Sequence, residues 1–363
     1  MKYYVIAGEA SGDLHASKLI KEIKKIDSDA TFRCWGGDLM QAQGVELVKH
    51  YRDLAFMGFT EVLMNIRTIF KNLDFCKKDI LENKPDVVVL VDYPGFNLRI
   101  AEFAKANGFK VVFYISPSVW AWKASRVHKI KRCVDKMLVI LPFEKAFYKK
   151  YDYDVEFVGH PLLDVISGAT YEKVIETDKP IIAILPGSRK QEIKKMLSVM
   201  LEMKKHFPMY EFVVAGAPSQ TPEFYKEFIK DDSVKIVFNK TYSLFSQSHA
   251  AIVKSGTSTL EAALFNVPEV MCYKVSQISY EIASRLVKVK YATLANLIMN
   301  REVVKELIQS NFTVEKLKFE LEQILIEDNR VRMKKDFADL KQMLGGPGAS
   351  QRAAIAVIKL LKG

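Results

Sequence analysis

The sequence predicts an α/β protein of two doubly wound, largely parallel sheets, and three features carry that expectation. Short β-branched runs alternate with amphipathic helical stretches along nearly all of the 363 residues. Strands run straight into glycine turns that open helices at 8–13, 186–189 and 254–257, which is where open α/β sheets build ligand sites. A polar stretch at 167–180, SGATYEKVIETDKP, separates the two sets of strands and reads as a linker. The expected division is therefore 1–166, the linker 167–180, 181–345, and a last helix within 346–363 that packs back on the first domain.

An apolar content of 49% supports two sizeable cores and excludes a disordered chain. The 54 Lys and Arg against 43 Asp and Glu leave a net charge of +11, which suits nucleic acid, an anionic membrane or a phosphorylated substrate and alone does not choose among them. Cys34, Cys76, Cys133 and Cys272 are scattered with no CxxC pair, so free buried thiols in a reducing compartment are expected. The chain opens on a strand, MKYYVIAG, with no signal-peptide pattern and no apolar run long enough to span a bilayer. A cytoplasmic protein is expected, with peripheral membrane contact left open.

Residues 3–7 form an apolar strand that enters Gly8-Glu9-Ala10-Ser11-Gly12-Asp13 and then a helix to about residue 25. The turn lacks G-x-G-x-x-G, which disfavours a nicotinamide or flavin cofactor. Gly8 and Gly12 either make the turn while Asp13 caps the helix, or contact a ligand directly. Further strands are expected near 31–35, 45–48, 86–91, 110–115, 136–140 and 155–158. Between 54 and 81, apolar residues including Met57, Phe59, Leu63, Ile66 and Phe70 recur at helical spacing in a stripe wider than one core face needs, flanked by Arg67, Lys71, Lys77 and Lys78. The stripe fits a helix resting on a membrane surface or an ordinary buried helix.

The strand 86–91, DVVVLV, stops at Asp92-Tyr93-Pro94-Gly95-Phe96-Asn97. A carboxylate at the end of a central strand, beside a rigid Pro-Gly turn, is placed to act as a general base or to satisfy loop backbone groups. Next, Trp120 and Trp122 lie in a small-residue loop before a basic helix; they fit either packing over the core or an apolar rim for a ligand. Asp152-Tyr153-Asp154 spells D-x-D but sits in a polar turn away from the glycine turns, and the six histidines miss metal-ligand spacings, so no metal is expected. His160 reads as a cleft or hinge residue.

In the second half, the strand 181–185 enters Pro186-Gly187-Ser188-Arg189, where the guanidinium can clamp a diphosphate or simply lie exposed. Strands near 212–215, 235–238, 250–253 and 267–272 follow. The stretch 250–265, AAIVKSGTSTLEAALF, brings Ser255, Gly256 and Thr257 to a helix N-terminus, with Glu261 one turn further on. Such a terminus suits a diphosphate, and Glu261 suits a pair of sugar hydroxyls; the same residues also fit a plain helix cap. From 276 onward the chain reads as mostly helical with an extended interruption at 291–298, a flexible break at 345–348 and a last helix over 349–361.

IAGEASGD at 6–13, FMG at 56–58, SPSVWAW at 116–122, LPFEK at 141–145, LPGSR at 185–189 and SGT at 255–257 with Glu261 together resemble the lipid-A-disaccharide synthase family, in order along nearly the whole chain. The resemblance implies the GT-B arrangement of two doubly wound Rossmann-like domains facing a cleft. It implies transfer of 2,3-diacylglucosamine from its UDP derivative to 2,3-diacylglucosamine 1-phosphate, with inversion, no metal and no cofactor. Asp92 matches the family's proposed base. Gly187, Ser188, Arg189, Ser255, Gly256, Thr257 and Glu261 match its UDP-binding positions, and Glu9, Ser11, Gly12 and Asn296 are expected on the acceptor side. Gly95 stands where some relatives carry an acidic residue, so no second carboxylate in that loop is catalytic. The implied partners are the two lipid substrates, the inner-leaflet membrane surface touched peripherally through residues such as Met57 and Trp122, and a second copy of the chain, with no nucleic acid. A UDP-sugar 2-epimerase shares the two-domain plan and is the alternative; a non-enzymatic nucleic-acid or membrane binder would explain the charge but not the paired glycine turns and Glu261, and a serine hydrolase is disfavoured because Ser255 lacks the G-x-S-x-G elbow.

Overall fold

The computed structural model describes residues 1–53, 66–229, 234–287 and 289–363. The chain divides into one unit of Met1–Asp164 with Leu344–Gly363, and a second of Val165–Met343.

Among the described residues the first unit has seven strands: β1 Lys2–Ala7, β2 Thr31–Gly36, β3 Glu46–His50, β4 Val87–Val91, β5 Lys110–Tyr114, β6 Lys136–Val139 and β7 Glu156–Phe157. Their order is β3-β2-β1-β4-β5-β6-β7, and every pairing is parallel. All five residues of β4 are buried, as a Val-rich strand covered on both faces of a parallel sheet requires. Alternation along β1 sorts its side chains to two cores. Tyr4 and Ile6 join Leu73, Cys76 and Ile80 of the helix Ile66–Asn83, whereas Tyr3, Val5 and Ala7 join the helices Ala10–Ile26 and Ala349–Lys362.

The last helix thus completes the first unit, and its approach is pinned by polar contacts. The Asp164 carboxylate accepts from the N–H groups of Gly348 (2.5 Å), Ala349 (3.1 Å) and Ser350 (2.7 Å), capping the helix through three of its unpaired donors. Arg352 donates from Nε to the Val158 carbonyl at 2.7 Å.

His15 and His160 are buried near this junction. Burial holds their pKa values down, to about 4 for His15 and about 3 for His160, the latter helped by His15. Both are neutral when folded at pH 7, and the unfolded chain takes up protons below pH ~6.5. Stability is therefore expected to fall as pH drops from ~6.5 toward 4, His15 alone accounting for about 3 kcal/mol. Denaturant titrations at pH 7 and pH 5 check this; an equally steep decline after both are replaced by Asn would refute it.

Among the described residues the second sheet has six parallel strands: β8 Ile181–Leu185, β9 Glu211–Gly216, β10 Lys235–Phe238, β11 Ser248–Lys254, β12 Glu269–Tyr273 and β13 Lys305–Ile308. Their order is β10-β9-β8-β11-β12-β13. Three features depart from the expected pattern. Residues 291–298 are not one extended interruption: the helix Leu294–Met299 forms there because Thr293 Oγ1 accepts from the Asn296 N–H at 3.3 Å as its N-cap. After it, β13 is an edge strand too short to show alternation. Residues 167–180 fall within the second unit, where buried Ile175 packs with Leu185 and Ala251. All four cysteines are free and buried.

Candidate active site

Both sheets reverse their winding at one place, between β1 and β4 in the first unit and between β8 and β11 in the second. Connections leave to opposite faces there, which opens a crevice at the carboxyl ends of the strands. Asp92 and the three glycine turns lie at these two points.

In the first unit, β1 delivers Gly8 and Glu9, and β4 delivers Asp92 and Tyr93. Asp92 and Tyr93 both take left-handed backbone conformations, at φ 47° and 48°, each costing about 1–3 kcal/mol for a residue with a Cβ. Surrounding contacts hold them there. The Asp92 N–H donates to the Tyr114 carbonyl at 3.0 Å, and the buried Asn97 donates from Nδ2 to the Asp92 carbonyl at 2.7 Å and the Val91 carbonyl at 3.3 Å. The Tyr93 ring occupies the space over Gly8, where a Cβ would come within 2.3 Å of it. Burial, and then the negative charge of Glu9, push the Asp92 carboxyl up to about 6, a value suited to a base at neutral pH.

The rest of the glycine turn divides by role. Ser11 is exposed on the first turn of its helix. Gly12 lets the helix approach β1, since a Cβ there would lie 3.3 Å from that of Ala7. Asp13 accepts from the N–H groups of Gly37 (2.7 Å), Leu39 (3.1 Å) and Met40 (3.1 Å), so it caps the helix Asp38–Gln41 rather than its own.

The tryptophan loop also splits. Trp120 packs edge-on against Phe143 at 4.9 Å. Trp122 is 46% exposed, and Lys123 and Arg126 each lie 5.1 Å from its ring. Glu144 of LPFEK accepts from the N–H of Leu141 at 2.9 Å, so it closes the start of its own helix. Phe70 is exposed; Met57, Phe59 and Leu63, and the side chain of Ile66, lie outside the described residues.

In the second unit, Gly187 takes φ 109° after β8, and Arg189 forms the backbone N-cap of the helix Lys190–His206. The Ser188 carbonyl accepts from the Ser219 hydroxyl at 3.0 Å. After β11, Ser255 donates its N–H to the Cys272 carbonyl at 2.9 Å. Gly256 takes φ 153° with open space where a Cβ would be, and the helix Thr257–Leu264 starts at once with no side chain capping its first N–H groups. One Glu261 oxygen already accepts from the Tyr242 hydroxyl at 3.0 Å. Burial raises the Glu261 pKa.

Sequence reasoning missed two residues of this site. Glu192, 7% exposed, lies with Oε1 3.3 Å from Nη1 of Arg189 and 3.1 Å from Nζ of Lys254. The available signals were the i,i+3 spacing of Arg189 and Glu192 and the place of Lys254 directly before Ser255. Asn296 belongs elsewhere: its Oδ1 accepts from the N–H groups of Val303 and Val304 (2.7 and 2.9 Å), and its Nδ2 donates to the Val304 carbonyl and to Glu306 (2.8 and 2.9 Å). Fully buried, it closes a loop. Asp152 of D-x-D sits at φ 50° in a turn, and no group of three or more His, Cys, Asp or Glu among the described residues is arranged to hold a metal.

A family model described as Lipid-A-disaccharide synthetase matches residues 3–359. The lipid-A-disaccharide synthase of Geobacter metallireducens is 38% identical over 372 residues, covering 98% of this chain and 96% of its own. That of Myxococcus xanthus is 39% identical over 370 residues, covering 98% and 97%. Among solved structures, the Neisseria meningitidis UDP-GlcNAc 2-epimerase bound to UDP-GlcNAc superposes with a TM-score of 0.69 at 14% identity, covering 100% of both chains. The calicheamicin glycosyltransferase CalG4 does so at 0.64 and 16%, covering 99% of both. At these identities the two structures carry the fold alone, a two-domain α/β fold of GT-B type. The family model and the full-length relatives carry more: the chain belongs to the lipid-A-disaccharide synthetase family.

Proposed function

We propose that the chain is an inverting, metal-independent glycosyltransferase that joins UDP-2,3-diacylglucosamine to 2,3-diacylglucosamine 1-phosphate, forming the β-1,6-linked disaccharide 1-phosphate and UDP. The observation that carries the reading is Asp92, strained at the end of β4 with its carboxyl held near neutrality. Its carboxylate takes the proton of the acceptor's 6-hydroxyl as that oxygen attacks the anomeric carbon; the bond to the diphosphate breaks and the electron pair leaves with UDP. One base and one displacement give inversion. Arg189 and the helix N-terminus at Thr257 offset the charge of the leaving diphosphate without calling on a cation.

The lipid substrates place the enzyme at the cytoplasmic face of the inner membrane, touching it peripherally, with a homodimer as the proposed assembly. The net charge of +11 and the exposed Trp122 with two cations beside its ring support contact with an anionic surface. Among the described residues no helix is long and apolar enough to cross a membrane.

The test is UDP release in detergent with excess EDTA, with and without the acceptor. Acceptor-dependent release with disaccharide formation is expected; no release with either lipid would end the proposal. Unacylated UDP-GlcNAc without acceptor then tests epimerisation.

A further inference from the structure

The geometry points to Lys254 as a second cationic contact for the diphosphate of the nucleotide, held beside Arg189 by Glu192. The inference rests on the nucleotide-sugar reading and deepens it. Lys254 is the last residue of β11 and stands three positions before the helix Thr257–Leu264. Its stem lies against Gly187, where a Cβ would meet Lys254 Cγ and Cδ at 3.4 Å, and its ammonium lies 5.8 Å from the centre of the Tyr273 ring. The side chain is thus packed at the switch point, only 19% exposed, rather than loose in solvent.

Glu192 explains how two cations are kept together there. Its Oε1 engages both Arg189 and Lys254, and its Oε2 has no hydrogen-bond partner among the described residues. A buried carboxylate is expensive without pairing. The i,i+3 contact from Arg189 and the helix dipole would serve for stability alone; Lys254, reaching over from another strand, adds a positive charge that helix stability does not need. The cluster keeps one net positive charge. Glu192 engages one nitrogen of each cation, whereas an ammonium has three donors and a guanidinium five, so both retain donors for phosphate oxygens. Two nitrogens that share one carboxylate oxygen are close enough to share a phosphate group. Lysine adds the point charge, arginine the bidentate fork.

The test compares UDP and uridine binding to the full chain by calorimetry. Lys254→Met is expected to weaken UDP binding by about tenfold to a hundredfold and leave uridine affinity unchanged, with Lys254→Arg recovering most of the loss. Lys254→Gln replaces the Met variant if that variant loses its thermal transition. Unchanged UDP affinity, or equal losses for UDP and uridine, overturns the assignment. Arg189→Ala separates the two levels: if wild-type protein fails to bind UDP, or Arg189→Ala binds it as wild type does, the nucleotide reading falls and takes the role of Lys254 with it.

Discussion

Replacing Asp92 with Asn is expected to lower turnover by about 10²–10⁴-fold, the usual range for a positioned general base, while UDP affinity stays nearly unchanged. Asn suits the substitution because it accepts the left-handed backbone at φ 47° better than most residues and removes only the ability to take a proton. Stability supplies an independent reading. The folded carboxyl sits near 6 because burial, and then Glu9, disfavour its charge. The stability this group contributes is present below its unfolded value near 3.8 and is lost as pH rises through 6. At pH 7 the wild-type protein has therefore given up as much as about 3 kcal/mol that the Asn variant does not lose. The variant should melt at the same temperature or higher while barely turning over; if Asp92 merely tied down its loop, the variant would instead melt lower and keep its rate. The wild-type rate should also fall as pH drops through about 6, where Asp92 takes up a proton. Near-normal turnover, or a rate flat from pH 7 to 5, removes Asp92 from the mechanism.

The place of Asp92 at the end of a central strand was legible because its signal is local. A run of β-branched residues closing on Asp-Tyr-Pro-Gly marks the end of a central strand without knowledge of any other part of the chain. The turns at Gly187 and Gly256 were legible for the same reason, and both take the positive φ that such turns demand. The rest of the site depends on contacts between distant segments. Asp13 looked like the cap of its own helix, but its carboxylate reaches backbone donors that begin 24 residues further on. Lys254 and Glu192 come from different strand-to-helix units and acquire meaning only when β8 and β11 lie side by side. Asn296 carries a polar side chain in an apolar helix, a pattern that fits a ligand contact as well as a buried loop clasp; the four backbone and side-chain partners that decide it lie 7–10 residues away. The strand β13 has no alternation to read, because parallel pairing to β12 alone makes it a strand.

A charge placed on the buried face of the last helix should unfold or undock the first unit, whereas the same charge on the exposed face should be tolerated. Val357 is fully buried with Tyr3, Val5, Val89 and Tyr114, whereas Ile355, two residues earlier on the same helix, is 51% exposed. Val357→Asp loses about 1.5–3 kcal/mol of apolar burial and forces a carboxylate into an apolar core, a further penalty of several kcal/mol. Together these rival the whole stability of a typical domain, about 5–15 kcal/mol. Ile355→Asp meets water and costs about 1 kcal/mol or less through helix propensity and lost surface contact. The contrast isolates docking from helix formation, since both variants place the same residue near the middle of one helix. Asp164 raises the stakes, because its carboxylate is held by the N–H groups of Gly348, Ala349 and Ser350 and loses all three when the helix departs. Calorimetry should show the transition of the first unit lowered by about 10 °C or more, or lost, in Val357→Asp. That of the second unit, whose cores lie entirely within residues 165–343, should remain. Equal melting of the two variants would mean that the chain's last residues do not hold the sheet carrying Asp92, and the helix would then be an appendage rather than a part of the fold.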